Sequence, residues 1–363
     1  MDGLNIPFTG IRRQYNNLRT EILDVTDEVL RSGQLMSGNY TAEFENWLAK
    51  RNNQKYAVTC HSCTQALEII AEYYATQTFV PQPPRVLIPA MTYVATVNAF
   101  RRAGWIITLV DTDAQGQLDH KKIDRQESVQ AIVAVGVYGQ ALNKHEYLNN
   151  NSMVIEDGAQ HWLSNDCNRI GNVTAISFDP MKNFNNYGNG GALVTDDVNL
   201  LDFARNWRNN GKPNHDMIGT NSRMSEIDCA QMMVKTHHID DWQARRRKIA
   251  GYWLERLRGT GIRPLINETN HRTHAVNKFV IDVSNRDILK RNLDIRRIET
   301  KILAWEPLHE LPAYDHHPGP DVLSVASALS RRTLCLPIYP ELTDLEVEYI
   351  IDQLIDCAST GHN

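Results

Sequence analysis

The sequence predicts an α/β protein: a mainly parallel, doubly wound sheet with helices on both faces, followed by a smaller α+β unit. Three observations predict it. Short runs rich in Val and Ile recur at 85–88, 106–110, 131–137, 153–155, 173–178 and 192–195, the look of strands buried on both faces. Helical or loop stretches separate them, as parallel neighbours require. Beyond about residue 235 the pattern changes to long helices with few strands. The boundary is therefore placed between a large unit, 1–239, and a small one, 240–363.

Taken in order, an extended lead-in precedes a helix on which Ile11, Tyr15, Leu18, Ile22, Val25 and Val29 recur at helical spacing. Ser32-Gly33 ends it, and a second helix is expected from about Thr41. Tyr56–Thr59 reads as a strand that runs through Cys60-His61-Ser62-Cys63 into a helix from Thr64. Free N–H groups, hydroxyls and the positive end of the helix dipole converge at such a junction, which makes it an anion cradle. The stretch 80–84, with three prolines, is a loop. Lys278–Val283 is strand-like. A capping box from Thr343 to Glu346 opens the last helix, with Val347, Ile350, Ile351 and Leu354 on one face.

Composition excludes several classes of function. Of 363 residues, 42% are hydrophobic and 22% charged, ordinary for a globular protein, and the net charge of −5 gives no electrostatic case for nucleic acid or an anionic membrane. The basic run Arg245-Arg246-Arg247-Lys248 falls in a helical pattern and reads as a solvated face. No apolar run approaches the ~20 residues of a membrane span. The first residues lack the basic-then-apolar order of a signal peptide. Six cysteines are scattered; Cys60 and Cys63 form one C-x-x-C without a second pair, so no metal site is expected, and free thiols in a cytoplasmic protein are. No G-x-G-x-x-G follows the first strand, so a dinucleotide site is not supported.

Chemistry-bearing residues cluster at the strand ends, where open α/β sheets bind ligands. Ser62-Cys63-Thr64 supplies the anion cradle, Thr92-Tyr93 an aromatic plate, Asp157 and Gln160 a carboxylate and an amide, Ser177 and Lys182 a hydroxyl and an amine. Lys182 follows the run Val173–Phe178 and precedes the Gly-rich turn Gly188-Asn189-Gly190-Gly191. Amines so placed react with carbonyls once burial or a neighbouring cation frees the lone pair. The set suits an aromatic, phosphorylated aldehyde, and pyridoxal 5′-phosphate fits each member of it.

Together with Pro89–Thr96, Asp111-Thr112-Asp113, Ile155–Gln160, Ser177–Gly191, Gly219–Arg223, Pro307-Leu308-His309 and Leu334–Leu342, these residues make the chain resemble the DegT/DnrJ/StrS-type sugar aminotransferases, within fold-type-I transaminases. The resemblance covers nearly the whole length. It implies a seven-stranded sheet and a pyridoxal-phosphate transaminase that moves an amino group from L-glutamate to a keto group of a nucleotide-linked sugar, by ping-pong Schiff-base chemistry. Lys182 stands where the family's Schiff-base lysine stands and Asp157 where a carboxylate pairs with the pyridine nitrogen. Gln160 would touch the ring or its phenolic oxygen, and Tyr93 would stack on it. Cys63, Thr64 and Ser177 would hold the phosphate, and Asn221 would reach the phosphate of a partner subunit, which implies a homodimer with shared sites. Tyr187, Arg223 and His309 are the substrate-side candidates.

Three departures matter. The family usually has Gly where this chain has Cys63, an acidic residue at Asn189, and a His-Tyr pair at Leu303-Ala304. They leave two other readings open: amination of a cyclitol or other non-sugar ketone, and a non-catalytic ligand-binding regulator of the same fold.

Overall fold

A computed structural model describes residues 4–77, 83–123, 129–148, 152–164, 170–266, 272–303, 306–314 and 323–360. Part of the loop expected at 80–84, and Ala304, lie outside them.

Helix α1 (Ile11–Ser32) buries Leu18, Ile22 and Val29 and ends at Gly33, whose φ of 70° is the left-handed conformation that glycine adopts without a Cβ clash. Helix α2 (Asn39–Arg51) starts two residues before the expected point because Glu226, 185 or more positions away, caps it. Its carboxylate accepts from the Gly38 and Tyr40 N–H groups and from the Thr41 hydroxyl.

Strand β1 (Tyr56–Cys60) leads into α3 (Cys63–Gln77). There follow β2 (Arg85–Pro89), α4 (Val94–Arg102), β3 (Ile106–Val110), β4 (Ala131–Val135), α5 (Lys144–Leu148), β5 (Met153–Asp157), β6 (Val173–Ser177) and β7 (Gly191–Thr195). The seven strands form one sheet in the order β1-β7-β6-β5-β4-β2-β3. β7 runs antiparallel to both its neighbours, and the pairs from β6 through β3 are parallel. β4, β6 and β7 are buried at every residue, as the unbroken apolar runs predicted. This is the mainly parallel seven-stranded sheet that the resemblance implies.

Helices α6 (Val198–Trp207), α7 (Glu226–Thr236) and α8 (Ile239–Arg256) lead to a three-stranded sheet. It comprises β8 (Arg263–Pro264), β9 (Phe279–Asp282) and, after α9 (Arg286–Ile295) and α10 (Ser324–Arg332), β10 (Thr333–Leu336), in the order β10-β9-β8. Helix α11 (Asp344–Thr360) opens on the expected capping box: Thr343 Oγ1 accepts from Glu346 N–H, and Glu346 accepts from Thr343 N–H. The lead-in belongs to this half of the molecule. Ile6 is fully buried in the cluster formed by Trp253, Phe279, Ile281 and Leu354 and bridges to Ile298.

One sequence expectation fails. The run 245–248 is not a solvated face: Arg246 is 8% exposed and donates to the Ile338 carbonyl at 2.6 Å, while Arg247 donates to the carbonyls of His274 and Leu163. The guanidiniums saturate carbonyls of neighbouring loops that lie outside any ladder, a role composition cannot distinguish from solvation.

Candidate active site at the strand ends

Gly191 fixes the floor of the site. It opens β7 and pairs with Cys60 on one side and Ser177 on the other, so the carboxyl ends of β1 and β6 flank it. A Cβ there would stand 2.3 Å from the Ser62 carbonyl carbon and 2.4 Å from the Cys63 nitrogen. The β1–α3 junction therefore lies directly on the sheet. The N–H groups of Cys63 and Thr64 donate to nothing among the described residues, whereas Gln65 N–H is taken by Ser62 Oγ and Ala66 N–H by the Ser62 carbonyl. Two free amides at a helix start, with the buried Ser177 across Gly191, stand where the sequence reading expected an anion cradle.

Asp157 ends β5, beside β6, and is 5% exposed. Thr96 Oγ1 donates to its Oδ2 at 2.7 Å, and Ala159 N–H to its Oδ1 at 3.1 Å. Each oxygen is thus held by one donor and keeps a lone pair for a ligand. The next residues are held from below. Glu156, fully buried, accepts from the Ile170 and Gly171 N–H groups and faces His161 Nε2 at 3.3 Å. His161 Nδ1 accepts from Gly136 N–H, so the ring proton sits on Nε2. Gln160 spends its carbonyl on Tyr138 N–H at 2.5 Å, where Tyr138 has a φ of 61°, and retains its NH₂.

Lys182 lies in the loop past β6. Its N–H is tied to the Asp179 carbonyl, its side chain is half-buried, and its Nζ has no acceptor among the described residues. Lys182 and Asp157 meet electrostatically at Cys63. Burial pushes that thiol's pKa well up, the Asp157 carboxylate adds to the rise, and the Lys182 ammonium offsets part of it. The carboxylate ends β5, the amine follows the end of the neighbouring β6, and the cradle follows the end of β1, so all three lie along one edge of the sheet.

A small cleft of about 30 Å³ opens beside Lys182 and is lined also by Gln14, Arg246, Lys278, Tyr339 and Glu341. Lys278 is 8% exposed; its Nζ donates to the carbonyls of Met181 (2.7 Å) and Asn277 (3.1 Å). Burial and the cations Arg246 and Lys182 push it down to about 7. A second, wide cleft of about 630 Å³ is lined by Arg205, Arg208, Lys212, His215 and Arg223, with no carboxylate in its lining.

The remaining sequence candidates are dispersed. Tyr93 precedes α4 with its side chain 63% exposed. Asn221 is exposed and accepts from Arg223 at 3.1 Å. Tyr187 packs edge-on against Tyr15 and under Lys235 Nζ, 3.6 Å from its ring. His309 sits beside Ser327 Oγ at 3.2 Å, in a turn tied to the end of β2 by Leu308 N–H and the Ala90 carbonyl. Asp111, a family-motif residue, turns out to be structural: its carboxylate accepts from the Val325 and Ala326 N–H groups and caps α10.

Sequence reasoning missed Thr96, Arg246 and Lys278. A lysine heading an otherwise apolar strand was the available signal for Lys278. Cys60, Cys63, Cys229, Cys335 and Cys357 are free. Among the described residues no cluster suits a metal ion, and no helix is long and apolar enough to cross a membrane.

The profile of the DegT/DnrJ/EryC1/StrS aminotransferase family matches residues 16–355. The chain is 30% identical to the dTDP-3-amino-3,6-dideoxy-alpha-D-galactopyranose transaminase of Aneurinibacillus thermoaerophilus, over 96% of this chain and 98% of that one. It is also 30% identical to the erythromycin biosynthesis sensory transduction protein EryC1 of Saccharopolyspora erythraea, over 97% and 99%. The crystal structure of S. venezuelae DesV in complex with a ketimine intermediate superposes with a TM-score of 0.89 at 28% identity, covering 98% of this chain and 99% of that one.

Proposed function

The chain belongs to the DegT/DnrJ/EryC1/StrS aminotransferase family, and on that premise we propose that it moves an amino group from L-glutamate to a keto group of a nucleotide-linked sugar. Membership of the family makes it a pyridoxal 5′-phosphate-dependent transaminase. The observation that carries the reading is that Asp157 at the end of β5, Lys182 past the end of β6 and the free amides of Cys63 and Thr64 share one edge of the sheet.

When bound, pyridoxal 5′-phosphate supplies a carbonyl that carries the amino group and a protonated ring that draws electrons from the carbon being deprotonated. The cradle amides of Cys63 and Thr64, with Ser177 Oγ, would hold the phosphate. Asp157 would keep the ring nitrogen protonated, its two oxygens fixed by Thr96 and Ala159. Gln160 would offer its free NH₂ to the ring's phenolic oxygen, and Tyr93 would cover a ring face. Lys182 Nζ, free of an ion pair, would first hold the cofactor carbon and afterwards carry the proton to and from the substrate carbon. Asn221 would act across the interface of a homodimer.

The acceptor reading rests on the wide basic cleft. Room for a nucleotide, a lining of cations of which Arg208 alone is paired, with Glu45, among the ion pairs of the described residues, and Arg223 in its wall suit a sugar diphosphate. Tyr187 and His309 would complete the sugar side.

Borohydride reduction of the cofactor-loaded protein followed by peptide mass spectrometry tests the amine. The cofactor should be fixed on Lys182 and absent from Lys182→Ala; labelling of Lys278 or Lys235 would overturn the assignment. A panel of keto sugars and keto cyclitols offered with L-glutamate tests the acceptor, and turnover of free cyclitol ketones alone would replace the nucleotide-sugar reading.

A further inference from the structure

The small cleft beside Lys182 holds more cations than it can satisfy. Arg246 and Lys278 are each 8% exposed, and neither has a carboxylate within 4 Å among the described residues. Lys278 spends two of its three N–H groups on carbonyls. Arg246 Nη1 donates to the carbonyls of Ile338 (2.6 Å) and Val276 (3.5 Å), while its Nε–H is buried without an acceptor among the described residues. The Tyr339 hydroxyl is buried and unpartnered as well. The one carboxylate in the lining, Glu341, lies against Gly10, where a Cβ would come within 2.6 Å of its Oε2; burial pushes its pKa up, and the charges of Arg246, Arg13 and Lys235, none of them ion-paired with that carboxylate among the described residues, offset part of the rise. Buried donors and cations without acceptors cost free energy that a bound anion would offset.

We propose that this cleft is a carboxylate subsite, filled by the carboxylate of the amino donor between Lys278, Arg246 and Tyr339. The proposal deepens the transaminase reading and rests on it. Size decides the class of anion. A space of about 30 Å³, against the ~10–15 Å³ that one water needs, takes a group of two or three heavy atoms. A carboxylate fits; the diphosphate of a nucleotide does not, and has the 630 Å³ cleft instead. Position decides the substrate. The α-carboxylate and α-nitrogen of an amino acid share one carbon, so the anchor for the first must adjoin the amine that exchanges with the second. Lys182 lines this same cleft. The arrangement also separates the two substrates of a ping-pong enzyme. Donor and acceptor meet at one amine, yet each is recognised by its own cations.

The environment of Lys278 agrees. Burial and the cations Arg246 and Lys182 lower it, Cys335 and Asp179 act in the opposite sense, and the balance leaves it near half-charged at neutral pH. An anion in the cleft would recharge it, so binding should draw a proton from the buffer above pH 7.

Glutarate, a dicarboxylate with no amine to transfer, is the probe. Calorimetric titration into the cofactor-loaded protein, in buffers of different ionisation enthalpy, should show binding with proton uptake. Lys278→Met should weaken glutarate and raise the KM for L-glutamate about tenfold or more, as expected for a lost charge-assisted hydrogen bond. The KM of the keto acceptor should stay unchanged. Lys278→Arg should recover part of the loss, and Tyr339→Phe gives an independent reading if Lys278→Met fails to fold. Glutarate affinity unchanged in a folded Lys278→Met protein means that the cleft holds only water, and overturns the proposal; so does an equal rise in the KM of the acceptor. Lys278-dependent glutarate binding in a protein that transaminates nothing would leave the subsite standing and sink the functional reading.

Discussion

Replacing Lys278 by methionine should stabilise the protein in acid and not in base. Methionine keeps the unbranched shape and removes the charge. Burial and two neighbouring cations lower this amine from 10.5 to about 7. At ~1.4 kcal/mol per tenfold, the charged form is then about 5 kcal/mol worse off in the folded than in the unfolded protein. Below pH 7 both states carry the proton and the penalty is complete. Between pH 7 and 10.5 the folded protein has released the proton and the unfolded chain still holds it, so wild-type stability rises with pH.

Removing the amine removes that rise. Against the gain stand the Met181 and Asn277 carbonyls, which lose their donor at every pH, a loss of about 2 kcal/mol. Lys278→Met should therefore be more stable than wild type by about 2–3 kcal/mol at pH 6, an advantage that shrinks to roughly zero by pH 9. Urea unfolding at fixed cofactor concentration, in buffers free of carboxylates, measures the difference. Lys235, also near 7, titrates in both proteins and cancels. A difference that stays flat from pH 6 to pH 9 would refute the reasoning, because only the protonation of residue 278 separates the two curves.

Two further outcomes follow from the strand-end geometry. Asp157→Asn should lose ~10²-fold or more in turnover, since an electrostatic partner of the reacting group is neutralised while Thr96 and Ala159 can still orient the amide; steady-state assay with saturating donor reads this, and near-normal turnover would deny the role. Gly191→Ala places a methyl 2.3–2.4 Å from backbone atoms of Ser62 and Cys63. Main chain cannot swing aside, so a destabilisation of about 1–3 kcal/mol should accompany a marked loss of cofactor retention in equilibrium dialysis. Unchanged retention would detach the cradle from cofactor binding.

The strand ends were the legible part. Unbroken Val/Ile runs marked β4, β6 and β7, and each run pointed its following residue at one edge of the sheet, so Cys63, Asp157, Ser177 and Lys182 could be placed before any coordinates. The reversed direction of β7 was not legible, because a fully buried run looks the same whichever way it is threaded. Arg246 and Lys278 were opaque for a different reason. Their burial is decided by carbonyls of remote loops, Ile338 and Met181, and nothing local in the sequence distinguishes a guanidinium that serves such a carbonyl from one that faces water. Asp111 shows the same limit: its place in a family-matching stretch said nothing of its role, and its hydrogen bonds from Val325 and Ala326 assign it to holding α10.

The lead-in has a consequence for how the molecule is made. Phe8 N–H is received by Glu299, 291 positions on, and Arg13 pairs with Glu346, 333 positions on. During synthesis these residues must wait for partners that emerge 291 and 333 positions later, so the smaller sheet and its helices close their core by capturing a segment made long before them. A protein interrupted before Glu299 would expose Ile6 and Phe8 as an unclaimed apolar tether, a ready target for chaperones.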